Sequence, residues 1–374
     1  MRSAPTAVCI FVLALLAGCD RDSSSNSSAP PPQASRQPKW GVEIERVTPL
    51  PPDHRTHLAP TGSGQLFWVQ ESDPGQRETV FSMIEGSLPA ATKFSNTSIL
   101  EAAGHPDAAG SIQSLATGPD AGLYFYLAGG KRRVSLGVFG VFAPTSGQTR
   151  ILMDTRRLAD ESRMAEALSL ARGTLLRSGN LLWLWLRHDQ GFAVLSIDLT
   201  QAGASLRWRF DHVRGPDGQD VRLTAPTEDL SVAGDALIYL DRTSARLWRI
   251  DPQGTATPLA DVADLPRDLT APAADPAGRL VLFAPEAATF NEARESANAG
   301  GLVLPTTAPA AQWPAWIVFD GQSRTILGRS SLVTSAGLNV RGLSFPRLVR
   351  DRAAWLGYDT QTGELLRLRM VERR

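Results

Sequence analysis

Cysteine is almost missing from this chain: the only two, Cys9 and Cys19, fall in its first nineteen residues. The body after Cys19 therefore has no disulfide, no thiol nucleophile and no cysteine metal site. Lysine is nearly as scarce, at Lys39, Lys93 and Lys131 only, and the basic charge is otherwise carried by arginine. This argues against Schiff-base chemistry, which needs a lysine amine. There is no surplus of basic charge either. Without residues 1–18, which hold only Arg2, 37 basic face 38 acidic side chains. A nucleic-acid partner, which selects a clustered basic face, is not expected. The longest apolar run, Ala7 to Leu16, is half of the roughly twenty residues a bilayer-spanning helix requires. The sequence contains no G-x-S-x-G, H-E-x-x-H, C-x-x-C or phosphate-loop pattern, which lowers the expectation of an enzyme.

What is present begins with that apolar run. Arg2 precedes it, Leu16-Ala17-Gly18-Cys19 ends it, and a Ser/Pro-rich tract follows. Its length and small terminal residues fit a signal-peptide core. The arrangement resembles the lipobox of bacterial lipoproteins. The resemblance implies that residues 1–18 are a removed signal peptide and that Cys19 carries acyl chains such as palmitate. The mature protein would then be held on a membrane of the cell envelope, facing the periplasm. Asp20 resembles the signal that keeps enterobacterial lipoproteins in the inner membrane, so inner is favoured over outer. The alternative is an ordinary secretory signal cut near Gly18, with Cys19 unmodified. Residues 20–39, DRDSSSNSSAPPPQASRQPK, hold no apolar side chain larger than alanine or proline and read as a disordered tether. Its reach is roughly 25 Å.

Residues 40–374 repeat. Six segments share a turn followed by a short strand of large apolar residues: 64–70, 121–128, 179–186, 234–241, 278–285 and 352–359. Their spacing is 44 to 58 residues, with one interval of about 74. Each leads to a second strand and usually, through an Asp/Pro/Gly/Ser/Thr turn, to a third. A period near fifty residues built of short antiparallel strands predicts an all-β fold, a six-bladed β-propeller. The phrases ATGPDAGLYFYLA (116–128), AADPAGRLVLFA (273–284) and YDTQTGELLRL (358–368) resemble repeats of the NHL, SMP-30 and TolB types of six-bladed propeller. The last repeat ends after its third strand, so residues 41–48 are expected to supply the fourth and close the ring, sparing an open edge.

With each blade running from inner strand A to outer strand D, the D-to-A links and B-to-C loops share one face. Two insertions with helical patterning, 154–167 (capped by Asp154 or Thr155) and 286–312, fall there. So do all five histidines: His54 and His57 in the link entering blade 1, then His105, His188 and His212. Ordinary surface histidines would look the same. His54-x-x-His57 would suit a metal only on a helix, which Pro51-Pro52 opposes. The expected starts of the inner strands place His57, Ser111, Glu166 or Ala167, Asp229, Asp268 and Gly342 at the channel mouth, beside Glu228, Arg267 and Arg341. These acids could hold a divalent cation such as Ca2+ through oxygen ligands, or could simply pair with the neighbouring arginines. SMP-30-like enzymes hold a metal with Glu, Asn and Asp, and no asparagine occupies a mouth position here. Trp68, Trp183, Trp185, Trp248 and Trp355 are expected to pack between blades. Trp313 and Trp316, flanking the second insertion, are candidates for stacking on a ligand.

Two functions follow as expectations. The first is a binding or scaffolding module that meets an envelope protein, a peptide or a glycan. The alternative is a metal-dependent hydrolase, lactonase or lyase of the SMP-30 or streptogramin-lyase kind.

Overall fold

The computed structural model describes residues 40–49, 54–73, 77–84, 87–131, 134–154, 172–188, 191–200, 205–210, 213–221, 230–241, 244–263, 270–274, 280–284, 315–319, 324–327, 332–334, 348–351, 354–359 and 363–372. Residues 1–39, and with them the expected leader, Cys19 and the expected tether, lie outside this set.

The first strand, β1 (Trp40–Pro49), joins the last sheet of the chain. Four strands then form the first blade: β2 (His54–Pro60), β3 (Gln65–Asp73), β4 (Arg77–Ile84) and β5 (Ala90–Ser95). A short helix, α1 (Asn96–Ala102), leads to the second: β6 (Ala109–Thr117), β7 (Leu123–Lys131), β8 (Val134–Ala143) and β9 (Gln148–Asp154). The third is β10 (Arg172–Ser178), β11 (Leu181–His188), β12 (Gly191–Asp198) and β13 (Ser205–Phe210). A two-stranded ribbon follows, β14 (Val213–Arg214) with β15 (Asp220–Val221). The fourth blade is β16 (Leu230–Ala233), β17 (Ala236–Asp241), β18 (Arg246–Ile250) and β19 (Ala256–Asp261). The fifth is β20 (Thr270–Ala274), β21 (Leu280–Ala284), β22 (Ala315–Phe319) and β23 (Arg324–Leu327). Last come β24 (Leu332–Thr334), β25 (Leu348–Asp351), β26 (Ala354–Asp359) and β27 (Glu364–Glu372).

The result is an all-β propeller. The inner strands β2, β6, β10, β16, β20 and β25 touch in that order, and β25 returns to β2. The expectation of six blades needs correction. Five blades are four-stranded antiparallel sheets; the remaining sheet has five strands in the order β24-β1-β27-β26-β25. Its irregularity has a physical cause. β1 pairs antiparallel with β27 from Trp40↔Glu372 to Pro49↔Glu364 and would otherwise be a bare edge, and β24 covers Val42–Ile44 of it in parallel.

Chemistry sets the β1 register. Val42 and Ile44 are buried opposite Met370 and Leu368, while Glu43 and Glu45 face Arg369 and Arg367. Arg46 adds an ion pair with Glu364 at 2.7 Å. Such exposed pairs contribute at most about 1 kcal/mol each. A slip of one residue, however, would turn the apolar pair to solvent and set the charges against apolar neighbours.

The six repeating phrases are the second strands, β3, β7, β11, β17, β21 and β26. They read as unbroken apolar runs, rather than alternating ones, because a neighbouring blade covers each face. All six residues of β17 and of β26 are buried. The core accordingly lies between blades. Phe67, Val69 and Phe94 of the first blade meet Ile112, Phe125 and Leu127 of the second. Tyr126 and Phe139 meet Leu175, Leu182 and Leu184 of the third. Trp183 and Trp185 meet Leu237, Tyr239 and Trp248; Trp185 stacks on Tyr239 with ring centroids 5.7 Å apart. Leu58, Leu66 and Trp68 meet Leu356, Tyr358 and Leu365 of the five-stranded sheet. The expected burial of Trp68, Trp183, Trp185, Trp248 and Trp355 is found.

One close approach explains a glycine. An added Cβ on Gly173, in the inner strand of the third blade, would stand 2.0 Å from Cδ1 of Tyr126. The two blades meet there with no room for a side chain.

Helices are few. The insertion at 286–312 lies outside the described residues, as does the other from 155 onward. Asp154 ends β9, paired with Val138, and the helix it was expected to cap lies outside the described residues. No helix among the described residues is long and apolar enough to cross a membrane.

Candidate functional site

The D-to-A face is built best where the first two blades meet. β4 alternates inward and outward, and Glu78 falls in phase with Val80 on the inward side, 4% exposed. Its carboxylate accepts from the Ser111 hydroxyl and from the backbone N–H of Ile112, both at 2.5 Å, on the inner strand of the next blade. The Glu78 N–H donates to Asn96 Oδ1 at 3.1 Å, and Asn96 Nδ2 donates to the Gly110 carbonyl at 2.8 Å. Asn96 is itself buried, at the start of α1.

That helix is held by a capping box. The Ser95 Oγ accepts from Ser98 N at 3.2 Å, and Ser98 Oγ accepts from Ser95 N at 2.9 Å. Ile99 and Leu100 then anchor it in the core shared by the two blades. Glu78, Asn96, Ser111 and Ile112 thus form a clamp between blades, with both carboxyl oxygens of Glu78 accepting hydrogen bonds from the next blade.

The sequence-predicted mouth residues fare unevenly. His57 is half-buried inside β2, where a register irregularity separates Arg55 from Ala59, rather than at the strand's start. His54 opens the same strand, so His54 and His57 belong to β2 and not to the link before it. Ser111 lies at the head of β6, as expected, but is engaged by Glu78. Glu166, Asp229, Asp268, Arg267 and Arg341 lie outside the described residues. Asp229 directly precedes β16 in the chain and Asp268 stands just before β20. Glu166 and Arg341 are further ahead of β10 and β25, so the alignment was looser there. Among the described residues no group of three His, Cys, Asp or Glu side chains converges as a metal site would require. Trp316 is in β22, paired with Phe283 and Leu327; Trp313 lies outside the described residues.

Sequence reasoning missed Glu78 and α1. Both left signals: the period-two placement of Glu78 with Val80, and the run Ser95-Asn96-Thr97-Ser98 before Ile99-Leu100.

The opposite face carries latches between turns. Thr117 Oγ1 donates to the Pro60 carbonyl at 2.6 Å, and Arg177 Nη1 donates to the Thr117 carbonyl at 2.9 Å. These join the first three blades. Burial lowers the pKa of Arg177 from its ordinary value, against the opposing pull of Asp120 and Tyr124. Burial also raises that of Tyr124, with Asp120 adding to it. The ribbon β14–β15 leaves its expected face too: Arg214 N donates at 3.1 Å to the carbonyl of Gly254, in the C-to-D turn of the fourth blade.

No protein-family model matches the sequence, and no curated protein matches it in sequence. Among solved structures the chain is similar to a calcium-binding regucalcin from Agrobacterium tumefaciens at 11% identity and a TM-score of 0.45, covering 89% of this chain and 97% of that one. It is similar to a gluconolactonase from Xanthomonas campestris at 14% identity and a TM-score of 0.41, covering 85% and 88%. It is similar to BamB from Moraxella catarrhalis at 12% identity and a TM-score of 0.39, covering 87% and 97%. A calcium-binding protein, a gluconolactonase and BamB stand side by side at these distances, and no functional argument rests on them.

Proposed function

We propose that this protein is a lipid-anchored component of a bacterial cell envelope. Its propeller serves as a binding or scaffolding module, with the D-to-A face turned to an envelope protein, a peptide or a glycan. One observation carries the reading. The strand that directly follows the tether, β1, is stitched into the last sheet along its whole length. The anchor therefore continues into the body of the disk without a separate anchoring domain. Acylation of Cys19 after removal of residues 1–18, and the periplasmic side of the inner membrane, belong to the same reading.

The state of the face supports binding over catalysis. Glu78, a buried carboxylate there, is consumed in joining two blades rather than directed at a reacting group. Ligand contact falls to the mouth set His57, Glu166, Asp229, Asp268, Arg267 and Arg341 and to residues 286–312. Two substitutions test this in cells. Cys19→Ser should move the protein from the membrane to the soluble fraction. Replacing 286–312 by a short loop should leave it on the membrane but abolish cross-linking to its partner. Cross-linking unchanged by the loop replacement would contradict the assigned face. A stoichiometric divalent cation, lost in Asp229→Ala/Asp268→Ala, would instead favour a hydrolase at the mouth.

A further inference from the structure

Among the described residues the large apolar side chains most open to water are Ile84 (61% exposed), Leu88 (88%) and Leu259 (41%). The first two flank one turn, between β4 and β5, and Ser87, Pro89, Ala90 and Ala91 beside them are exposed too. The turn is closed rather than loose. Ser87 N donates to the Ile84 carbonyl at 2.8 Å, Ser87 Oγ donates to it at 2.6 Å, and Ile84 N donates to Ser87 Oγ at 2.9 Å. The equivalent turns of the second and fourth blades, PTSG (144–147) and DPQGT (251–255), are polar or small. The apolar tip is therefore not shared by these two blades.

Register shows which face it occupies. Ile84 pairs with Gln65, the first residue of β3, and Trp40 pairs with Glu372, the last of β27. Both positions are the ends of their sheets where the A-to-B and C-to-D turns lie. The two sheets are also neighbours, since Met83 and Val47 share the apolar cluster between them. The chain thus enters the disk at Trp40 on the same face, and in an adjoining sheet, as the exposed tip. Residues 19–39 precede it, with a reach of roughly 25 Å.

We propose that Ile84 and Leu88 form a second, reversible membrane contact that lays the disk down on its A-to-B and C-to-D turns. This rests on the reading of Cys19 as the anchor. The D-to-A face, with the mouth and the 286–312 insertion, then points away from the lipid. Two apolar side chains hold a free protein weakly, but tethering raises their effective concentration at the surface. Glu85 is the only charged residue between 84 and 91, so the contact is apolar and needs no anionic lipid.

The test supplies its own tether. The chain from residue 20, carrying an N-terminal hexahistidine, is held on phosphatidylcholine vesicles containing a nickel-chelating lipid. Because that chain has no cysteine, Pro89→Cys takes a single environment-sensitive fluorophore, and Pro106→Cys in the link after α1 is the comparison. Spin-labelled lipid is expected to quench the probe at 89 several-fold more than the probe at 106, and Leu88→Asp should remove the difference. Equal quenching at the two positions would overturn the proposal and leave the tip to a protein partner or to water. Acylation of Cys19 is read separately, by intact mass of the protein from cells, so the anchor and the tip fail independently.

Discussion

At the scale of single residues, joints between blades are made by polar groups that each reach across one gap. Glu78 is the clearest. Glu78→Ala would strand the buried Ile112 N–H, costing about 2–3 kcal/mol. Glu78→Gln keeps an acceptor oxygen and should cost less, and denaturant midpoints of the two variants give the order. Gly173→Ala should destabilise by roughly 1–3 kcal/mol, because the Tyr126 ring it meets is buried and cannot yield. Tyr126 also sets an alkaline limit. Burial raises its phenol pKa well above the ordinary 10.0, so the folded state keeps a proton that the unfolded chain loses. The Tyr126 contribution to stability should be constant below about pH 10 and fall as the pH climbs above it. Tyr126→Phe should flatten that fall in melting curves taken from pH 8 to 11.5; an unchanged slope would assign it to other groups.

At the scale of elements, what could be read from the sequence depended on how each strand is buried. The second strands were legible because both faces are covered: Leu181–Leu186 and Ala236–Leu240 leave no polar position to blur the run. Trp183, Trp185 and Trp248 were placed between blades for the same reason. Inner strands were harder. β2 holds an irregular register at His57, which displaced its expected start and put His54 and His57 in the wrong element. The helix α1 was overlooked because its capping residue three along is Ser98 rather than the more telling glutamate or glutamine. Glu78 was invisible to a search for mouth residues at the starts of inner strands, since it stands on the third strand of its blade. Ala for Ser98 should remove one arm of the capping box, lowering stability by about 1 kcal/mol; thermal denaturation would register it.

At the scale of the whole molecule, covalent order and spatial order meet at one place. The first strand, β1, lies against the last, β27, so these two strands close the ring and a pull on the residues before Trp40 is a pull on that closure. The propeller and its repeating second strands were legible from period alone, but the sixth repeat belongs to a five-stranded sheet rather than to another blade of the same build. The extra parallel strand β24 was not legible, because three residues, Leu332–Thr334, are too few for any pattern. The central claim is that β1 is structural and the tether is not. Thermal unfolding of chains beginning at residues 20, 38 and 51 addresses it directly. The first two should melt together. The third loses the buried Val42 and Ile44 and bares the edge of β27, and should melt roughly 5–10 °C lower. Equal melting of the chains from 38 and 51 would contradict the closure.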